Sequence, residues 1–330
     1  MRRREFIRLL SGAAAAWPFT VRAQQTESMR RIGVLMIFAE SDAEGRGFVT
    51  AFREGLQKLG WIEGRNIQID IRWGATNAAL IQQLARELVA SRPNLILSSG
   101  TPTTLVLLQQ TRAIPIIFAT VIDPVGSGLV ASLPQPGGNV TGFINLEGSM
   151  SGKWLELLKE IAPRVKRVAF LFNPVTATYA DYFLSPFKAA AASIAIEAIA
   201  TPVRDTSELA SAVATHAREP NGGLLIMPDA FTVARRAEIT SLAAHHRLPA
   251  VYPFRFFAEL GGLLSYGNDQ GDNYRRAAAY ADRILKGAKP SELPVQIPVK
   301  FELVINLKTA KMLDLDVPSL LQQRADALLE

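Results

Sequence analysis

The sequence contains no cysteine. Disulfide bonds, thiol catalysis and a lipid-modified N-terminal cysteine are therefore excluded, and stability must come from a packed core. Histidine is scarce as well: His216, His245 and His246 form no metal-binding or catalytic pattern, and no HExxH, GxSxG or Walker-type segment occurs. Asp269 and Asp272 do not have the spacing of a calcium loop. We therefore predict no catalytic residue, no metal site and no cofactor.

The positive charge of the chain is concentrated at its start. Residues 1–23 contain five arginines and one glutamate, so the rest of the chain carries only +2 of the formal charge of +6. No Lys/Arg-rich block follows, and a nucleic-acid partner is therefore not predicted. After residue 23 no apolar run is long enough to span a membrane.

Residues 1–23 have the organisation of an export signal. An Arg-rich start precedes the apolar run 9–19, and Val21-Arg22-Ala23 is a small-x-small cleavage pattern. The segment Arg3-Arg4-Glu5-Phe6-Ile7-Arg8 resembles a twin-arginine signal, and an Arg-rich general secretory leader is the alternative. Because the apolar run is too short for an anchor, we expect cleavage near Ala23 and a soluble periplasmic protein.

Strands and helices alternate along the first half of the remaining chain. Residues 31–38 form a continuous apolar run, which is typical of a strand buried on both faces. Residues 48–59 place apolar side chains at helical spacing. A strand at 66–73, a helix at 80–90, a short strand at 95–97 and a strand at 114–119 follow. This alternation predicts a parallel sheet with helices on both faces.

The same order recurs further along, where 223–229 takes the place of 95–101 and 246–252 that of 112–118. We therefore predict an α/β protein with two Rossmann-like lobes, whose parallel sheets are joined by a multi-strand hinge near 120–145, 266–270 and 288–300. The predicted division is an export signal at 1–23, lobe 1 at 30–145, lobe 2 at 146–267, and a segment at 268–330 with a crossover helix, part of the hinge and a C-terminal strand and helix, which partly returns to lobe 1.

The stretch 94–104 is the centre of the predicted site. A short apolar strand ends in Ser98, Ser99, Gly100 and Thr101, and Pro102 follows at the start of a helix. Ser or Thr before Pro predicts a capped helix N-terminus, whose free backbone N–H groups can bind a carboxylate or phosphate. An ordinary βα turn with a good cap is the alternative.

Ligands of parallel α/β sheets bind beyond the carboxyl ends of the strands, and the residues found there define a candidate cleft. In lobe 1 they lie within 39–42, 98–101 and 120–123. In lobe 2 they are Asn173, Asp229 and residues within 252–255 and 266–268. The residues that we select as ligand-binding are Ser98, Ser99, Gly100, Thr101, Thr120, Asp123, Asn173, Asp229, Phe254, Tyr266 and Asn268.

These side chains fit a free amino acid. Its carboxylate would bind at the Ser99/Thr101 turn and its ammonium near Asp229, and the rings of Phe254 and Tyr266 favour an aromatic side chain. Branched-chain amino acids, a nucleoside and a small aromatic acid remain open.

Several of these residues have a purely structural alternative. In that interpretation Asp229 only caps the helix that starts near Phe231, and Asn173 shapes a turn before Pro174. Tyr266 would then belong to the core.

Six segments together resemble a family of periplasmic substrate-binding proteins of ABC transporters that includes tryptophan and tyrosine binders. They are DPVGSGLV at 123–130, PGGNVTG at 136–142, MPDAFT at 227–232, GLLSYG at 262–267, RRAAAYADRILKGAKP at 275–290 and FELVINLKTAK at 301–311. The resemblance covers essentially the whole chain after the leader. One departure is Asp314, where similar proteins usually carry glycine after a helix.

The resemblance implies the type I periplasmic binding fold and a non-enzymatic, monomeric solute receptor of an ABC importer. Its partners would be a small-molecule ligand, held by hinge closure, and an ABC permease in the inner membrane. Ser99, Thr101 and Asp229 match the family's carboxylate and ammonium ligands. The alternatives are a ligand-sensing periplasmic domain of a signalling receptor and an α/β hydrolytic enzyme.

Overall fold

The computed structural model describes residues 29–330, so the predicted export signal lies outside the described residues. Within this range no helix is both long and apolar enough to cross a membrane. The strands are β1 (Arg30–Met36), β2 (Ile67–Trp73), β3 (Leu95–Ser98), β4 (Ile116–Val121), β5 (Val140–Ile144), β6 (Arg167–Phe172), β7 (Glu197–Pro202), β8 (Gly222–Ile226), β9 (Ala250–Tyr252), β10 (Leu264–Asn268), β11 (Phe301–Asn306) and β12 (Ala327–Leu329).

Helices connect these strands. They are α1 (Ala43–Lys58), α2 (Ala78–Ala90), α3 (Thr101–Gln110), α4 (Met150–Ile161), α5 (Ala180–Ser193), α6 (Thr206–His216), α7 (Ala230–Ala234), α8 (Arg236–His245), α9 (Arg255–Glu259), α10 (Gln270–Leu285), α11 (Leu307–Met312) and α12 (Ser319–Arg324), with a 3-10 turn at Pro290–Glu292. The predicted two-sheet α/β fold is confirmed.

Lobe 1 is built on a five-stranded parallel sheet in the order β2-β1-β3-β4-β5. Its central strands β3 and β4 are buried along their whole length, as expected for apolar runs covered on both faces. One face packs against α1 and α10, and the other against α2 and α3.

Helix α10 belongs to lobe 1 although it follows the strands of lobe 2 along the chain. Tyr274 stacks on Phe48 of α1 with ring centroids 5.0 Å apart, and its hydroxyl donates a hydrogen bond of 2.6 Å to Ser99 Oγ. The two helices approach closely at Gly55, where a Cβ atom would lie 2.7 Å from the Cβ of Ala278. Part of the C-terminal segment therefore completes the core of lobe 1.

Lobe 2 is built on a seven-stranded sheet in the order β12-β11-β10-β9-β8-β6-β7. The sheet is parallel except between β10 and β11, which pair antiparallel, so the prediction of a wholly parallel sheet is wrong at this one ladder. β10 leads out of lobe 2 towards lobe 1, and β11 leads back from lobe 1 into lobe 2. The two neighbouring strands therefore run in opposite directions. After α11, Asp314 adopts a left-handed conformation with φ of 53°, which explains why glycine is preferred there.

Three chain segments cross between the lobes, at 145–149, at Asp269 and at 297–300. The first follows β5 and lies beyond the predicted hinge segment 120–145, because β5 still belongs to the sheet of lobe 1. The third leaves lobe 1 after Gln296, whose backbone pairs with Gly142 and Ile144. Just before the second, within β10, a Cβ atom on Gly267 would lie 1.8 Å from the carbonyl oxygen of Pro253, so this strand position requires glycine.

Candidate ligand-binding site

A cavity of about 160 Å³ lies between the lobes, beyond the carboxyl ends of their strands. A cavity of about this volume can hold a benzene-sized group. Its polar lining residues are Asp42, Thr76, Thr101, Thr120, Asn145, Tyr179, Asp229 and Gln270, and its apolar ones include Phe38, Ile122, Val233 and Phe254. The cavity therefore offers a polar region and an aromatic region to one small ligand.

The turn between β3 and α3 brings Gly100 and Thr101 to the cavity wall. Gly100, not a serine or threonine as predicted, is the N-cap of α3, and its φ of 87° is the left-handed conformation that favours glycine. Thr101 Oγ1 bridges the N–H and C=O of Ile122 at 3.1 and 3.3 Å. Because the first backbone N–H groups of a helix have no partner within it, this end of α3 is suited to a carboxylate.

The two serines before this turn do not reach the cavity. Ser98 is the last residue of β3, and its hydroxyl lies 3.0 and 2.8 Å from those of Thr103 and Thr104. Ser99 Oγ accepts the hydrogen bond from Tyr274. Both serines are fully buried, so their hydroxyls stabilise lobe 1, and Ser99 is not positioned to bind the carboxylate.

Asp229 lines the cavity, but its carboxylate is already engaged within lobe 2. Oδ1 accepts hydrogen bonds from the N–H groups of Phe231 and Thr232 and from Thr176 Oγ1, and Oδ2 accepts one from the N–H of Asn173. Burial raises the pKa of Asp229 to about 6, while these hydrogen bonds oppose the rise. Asp229 thus caps α7, as the structural alternative expected, and only part of one oxygen remains for a ligand.

Four other predicted residues lie outside the cavity wall. The Asn173 side chain bonds to the backbone at Arg204 and Val175. Asp123 adopts a φ of 46° and accepts a hydrogen bond from the N–H of Gly126. Tyr266 stacks on Phe301 of β11, and Asn268 is buried at the second crossing. Thr120 and Phe254, in contrast, do line the cavity.

The cavity wall also contains residues that were not predicted from the sequence, among them Phe38, Thr76, Asn145, Tyr179 and Gln270. Phe38 and Thr76 follow β1 and β2, and position alone could have indicated them. Asn145 and Gln270 lie directly after β5 and β10, where the chain crosses between the lobes. Their contribution depends on the crossing pattern, which the sequence does not show.

The ionisable side chains of the cavity wall are acidic, although Asp42 is paired with Arg236 and burial raises the pKa of Asp229. Two carboxylates, Asp42 and Asp229, lie in its wall, and no lysine or arginine from residues 29–330 does. Within the same residues no group of three His, Asp or Glu side chains could hold a metal ion. The N-terminus of α3 lies at the cavity wall through Gly100 and Thr101.

An ion pair joins the lobes beside the cavity. Asp42 Oδ2 lies 2.8 Å from Arg236 Nη2, while Asp42 Oδ1 caps α1. The guanidinium also lies over the ring of Phe256 at 5.5 Å. Burial, and then the carboxylate of Glu259 in the opposite lobe, raise the pKa of Glu44. The lobes are therefore in contact, and the cleft is closed.

Comparisons with known proteins agree with this architecture. A tyrosine-binding protein of Clostridioides difficile is 26% identical over 295 residues, which cover 88% of this chain and 82% of the relative. A conserved domain protein of Vibrio cholerae has a TM-score of 0.85 at 28% identity and covers 91% of this chain and 99% of its own. An ABC domain of Streptococcus pneumoniae in complex with L-Trp also has a TM-score of 0.85, at 26% identity, and covers 92% and 100%.

ABC transporter substrate-binding proteins are not enzymes; they bind small molecules and interact with ABC permeases. The family described as ABC transporter substrate binding protein matches residues 32–328, nearly the whole described chain. The chain belongs to the ABC transporter substrate-binding protein family.

Proposed function

We propose that the protein is the solute receptor of an ABC importer and that its ligand is a free amino acid with an aromatic or large apolar side chain. One observation carries this proposal. A single cavity combines a helix N-terminus, two carboxylates, two phenylalanines and no cationic side chain from the described residues. An amino acid presents a carboxylate, an ammonium and a side chain, and this cavity has a region for each.

The ligand carboxylate would bind at the N-terminus of α3, where the Gly100–Thr101 turn lines the cavity. The ligand side chain would bind between Phe38 of lobe 1 and Phe254 of lobe 2, and closure would then bring a ring to both sides of it. Relatives that are a tyrosine-binding protein and an L-Trp complex support an aromatic amino acid.

The protein would reach the periplasm through the signal at 1–23 and act there as a monomer without nucleic acid. Ligand binding would shift its population towards the closed state, in which the two lobes together present a surface to the permease.

A thermal-shift and calorimetry panel tests the ligand class. The chain without residues 1–23 is unfolded and refolded to remove any bound molecule, and is then titrated with the standard L-amino acids, adenosine and simple sugars. We expect a saturable stabilisation by aromatic amino acids. Tryptamine, which lacks the carboxylate, and indole-3-propionate, which lacks the ammonium, should bind at least tenfold more weakly than L-Trp. A stabilisation by sugars or adenosine alone would contradict the proposal.

Uptake measurements distinguish transport from sensing. Cells without the gene should lose high-affinity uptake of the labelled amino acid and recover it with the intact gene. Normal uptake together with a lost transcriptional response would indicate the signalling alternative.

A further inference from the structure

Two side-chain amides at the crossings between the lobes contribute to the cavity wall. Asn145 follows β5 at the first crossing, and Gln270 begins α10 just after the second. They are only 5% and 8% exposed.

The hydrogen bonds of these amides are incomplete. Gln270 Nε2 donates to Asn145 Oδ1 at 3.2 Å. Gln270 Oε1 is buried and has no partner within residues 29–330. Asn145 Nδ2 also makes no hydrogen bond within these residues, although its oxygen is engaged. Buried polar groups are almost always paired, and an unpaired acceptor next to a cavity indicates that a ligand supplies the donor.

Asp229 does not meet this need for an ammonium partner, because its two oxygens already receive four hydrogen bonds. Asp42 is also engaged, with one oxygen on α1 and the other on Arg236. Gln270 Oε1 is the buried acceptor in the described cavity wall that has no donor at all.

We propose that Asn145 and Gln270 together bind the polar end of the ligand. Gln270 Oε1 accepts a hydrogen bond from the ammonium, and Asn145 Nδ2 donates one to the carboxylate, on the side opposite α3. The bond between the two amides leaves Gln270 Oε1 and Asn145 Nδ2 available to a ligand. This assignment rests on the proposed amino-acid ligand, and it replaces Asp229 as the principal ammonium partner.

The position of the pair links recognition to closure. Both amides are anchored on lobe 1, because the N–H of Asn145 bonds to the carbonyl of Val121 in β4 and Gln270 begins α10. A ligand whose polar end they hold also reaches Phe254 of lobe 2 when the cleft closes, and it therefore stabilises the closed state.

Calorimetry on the variants Gln270→Met, Gln270→Glu and Asn145→Asp tests the assignment, with the amino acid that binds wild type most tightly as the probe. Gln270→Met removes the acceptor at similar volume and should weaken binding about 10- to 100-fold. Gln270→Glu keeps an acceptor and adds a charge opposite the ammonium but loses the donor to Asn145 Oδ1, so it should bind the amino acid more tightly than Gln270→Met does. Asn145→Asp replaces the donor by an acceptor and should weaken binding at least tenfold.

Gln296→Met is the matched control. Gln296 lies at the third crossing, its side chain bonds to Tyr280 and Pro294, and it does not line the cavity. Gln296→Met should bind the amino acid with a Kd within about twofold of the wild-type value. The unliganded Tm of Gln270→Met should stay close to that of wild type, because the variant removes one unpaired acceptor but leaves Asn145 Oδ1 without its donor.

The N-acetylated form of the probe provides a second readout. It has no ammonium, so wild type and Gln270→Met should bind it with equal, weak affinity. The assignment of the amides would be overturned if Gln270→Met bound the amino acid as tightly as wild type, or if Gln296→Met lost as much affinity as Gln270→Met. Either result would leave the proposed amino-acid ligand standing. If wild type binds no amino acid, the proposed function fails and this assignment fails with it.

Discussion

The ion pair between Asp42 and Arg236 should set how tightly the closed cleft is held, and removing it should weaken ligand binding. The two side chains belong to different lobes and are 15% and 18% exposed. When the lobes separate, each charge is solvated alone, so the pair contributes free energy only to the closed state. When the ion pair is removed, part of the ligand's binding free energy must compensate for the free energy that the pair contributed to closure.

The expected magnitude follows from the burial of the pair. Exposed ion pairs contribute roughly 0–1 kcal/mol, and breaking a fully buried pair costs about 3–5 kcal/mol. Because these side chains are largely but not completely buried, we expect a loss of about 1–2 kcal/mol, which corresponds to an increase of roughly 5- to 30-fold in Kd.

The substitutions Asp42→Asn and Arg236→Gln, alone and combined, provide the measurement. Asparagine is as good an N-cap as aspartate, so Asp42→Asn should keep the cap of α1. Calorimetric Kd values should give a coupling energy of about 1 kcal/mol in the double-mutant cycle, and small-angle scattering should show a larger radius of gyration for each unliganded variant. Arg324→Gln is the control, since Arg324 pairs with Glu160 inside lobe 2.

Additive effects of the two substitutions, or an equal loss in Arg324→Gln, would refute the reasoning. A much larger loss in Asp42→Asn than in Arg236→Gln would indicate that Asp42 contacts the ligand itself.

Three further predictions concern stability. Because burial raises the pKa of Asp229 to about 6, the folded protein binds this proton more tightly than the unfolded chain. The protonated carboxyl therefore stabilises the fold below about pH 4, and this stabilisation is lost as the pH rises to about 6. In urea titrations the free energy of unfolding of wild type should fall by roughly 2–3 kcal/mol over this range, and that of Asp229→Asn should not. Tyr274→Phe removes a buried hydrogen bond and should lower the free energy of unfolding by about 1–2 kcal/mol, measured by urea titration. Gly267→Ala overlaps a backbone carbonyl oxygen and should lower the Tm in circular dichroism by more than about 10 °C, whereas Gly47→Ala, with no atom near its Cβ, should not.

Residues that directly follow a strand were predictable from the sequence, because the carboxyl ends of parallel strands meet at one edge of each sheet. Gly100 and Thr101 of lobe 1 and Asp229 and Phe254 of lobe 2 reach the cavity for this reason, whereas Thr120, which also lines the cavity, still belongs to β4. The alternation of apolar strands and helices likewise predicted the fold, since burial on both faces demands continuous apolar runs.

The failures have local causes. Ser98 still belongs to β3, so its side chain points into the lobe and not beyond the strand end. The N–H of Asn173 donates a hydrogen bond to Asp229, and the side chain of Asn173 bonds to the nearby backbone. Sequence spacing does not show whether such a polar side chain will bond to the backbone or to a ligand. Asn145 and Gln270 could not be selected, because their shared cavity exists only once the crossings bring β5 and β10 together.

The place of α10 in lobe 1 has a consequence for the order in which the protein is made. During synthesis the sheet of lobe 1 emerges early, but the helix that covers Phe48 and Phe52 of α1 lies behind all of β6 to β10 in the chain. The apolar face of α1 therefore stays uncovered while more than a hundred further residues are added, a period in which such surfaces attract chaperones or aggregate. A nascent chain that stops before Gln270 has neither a finished first lobe nor a finished binding site.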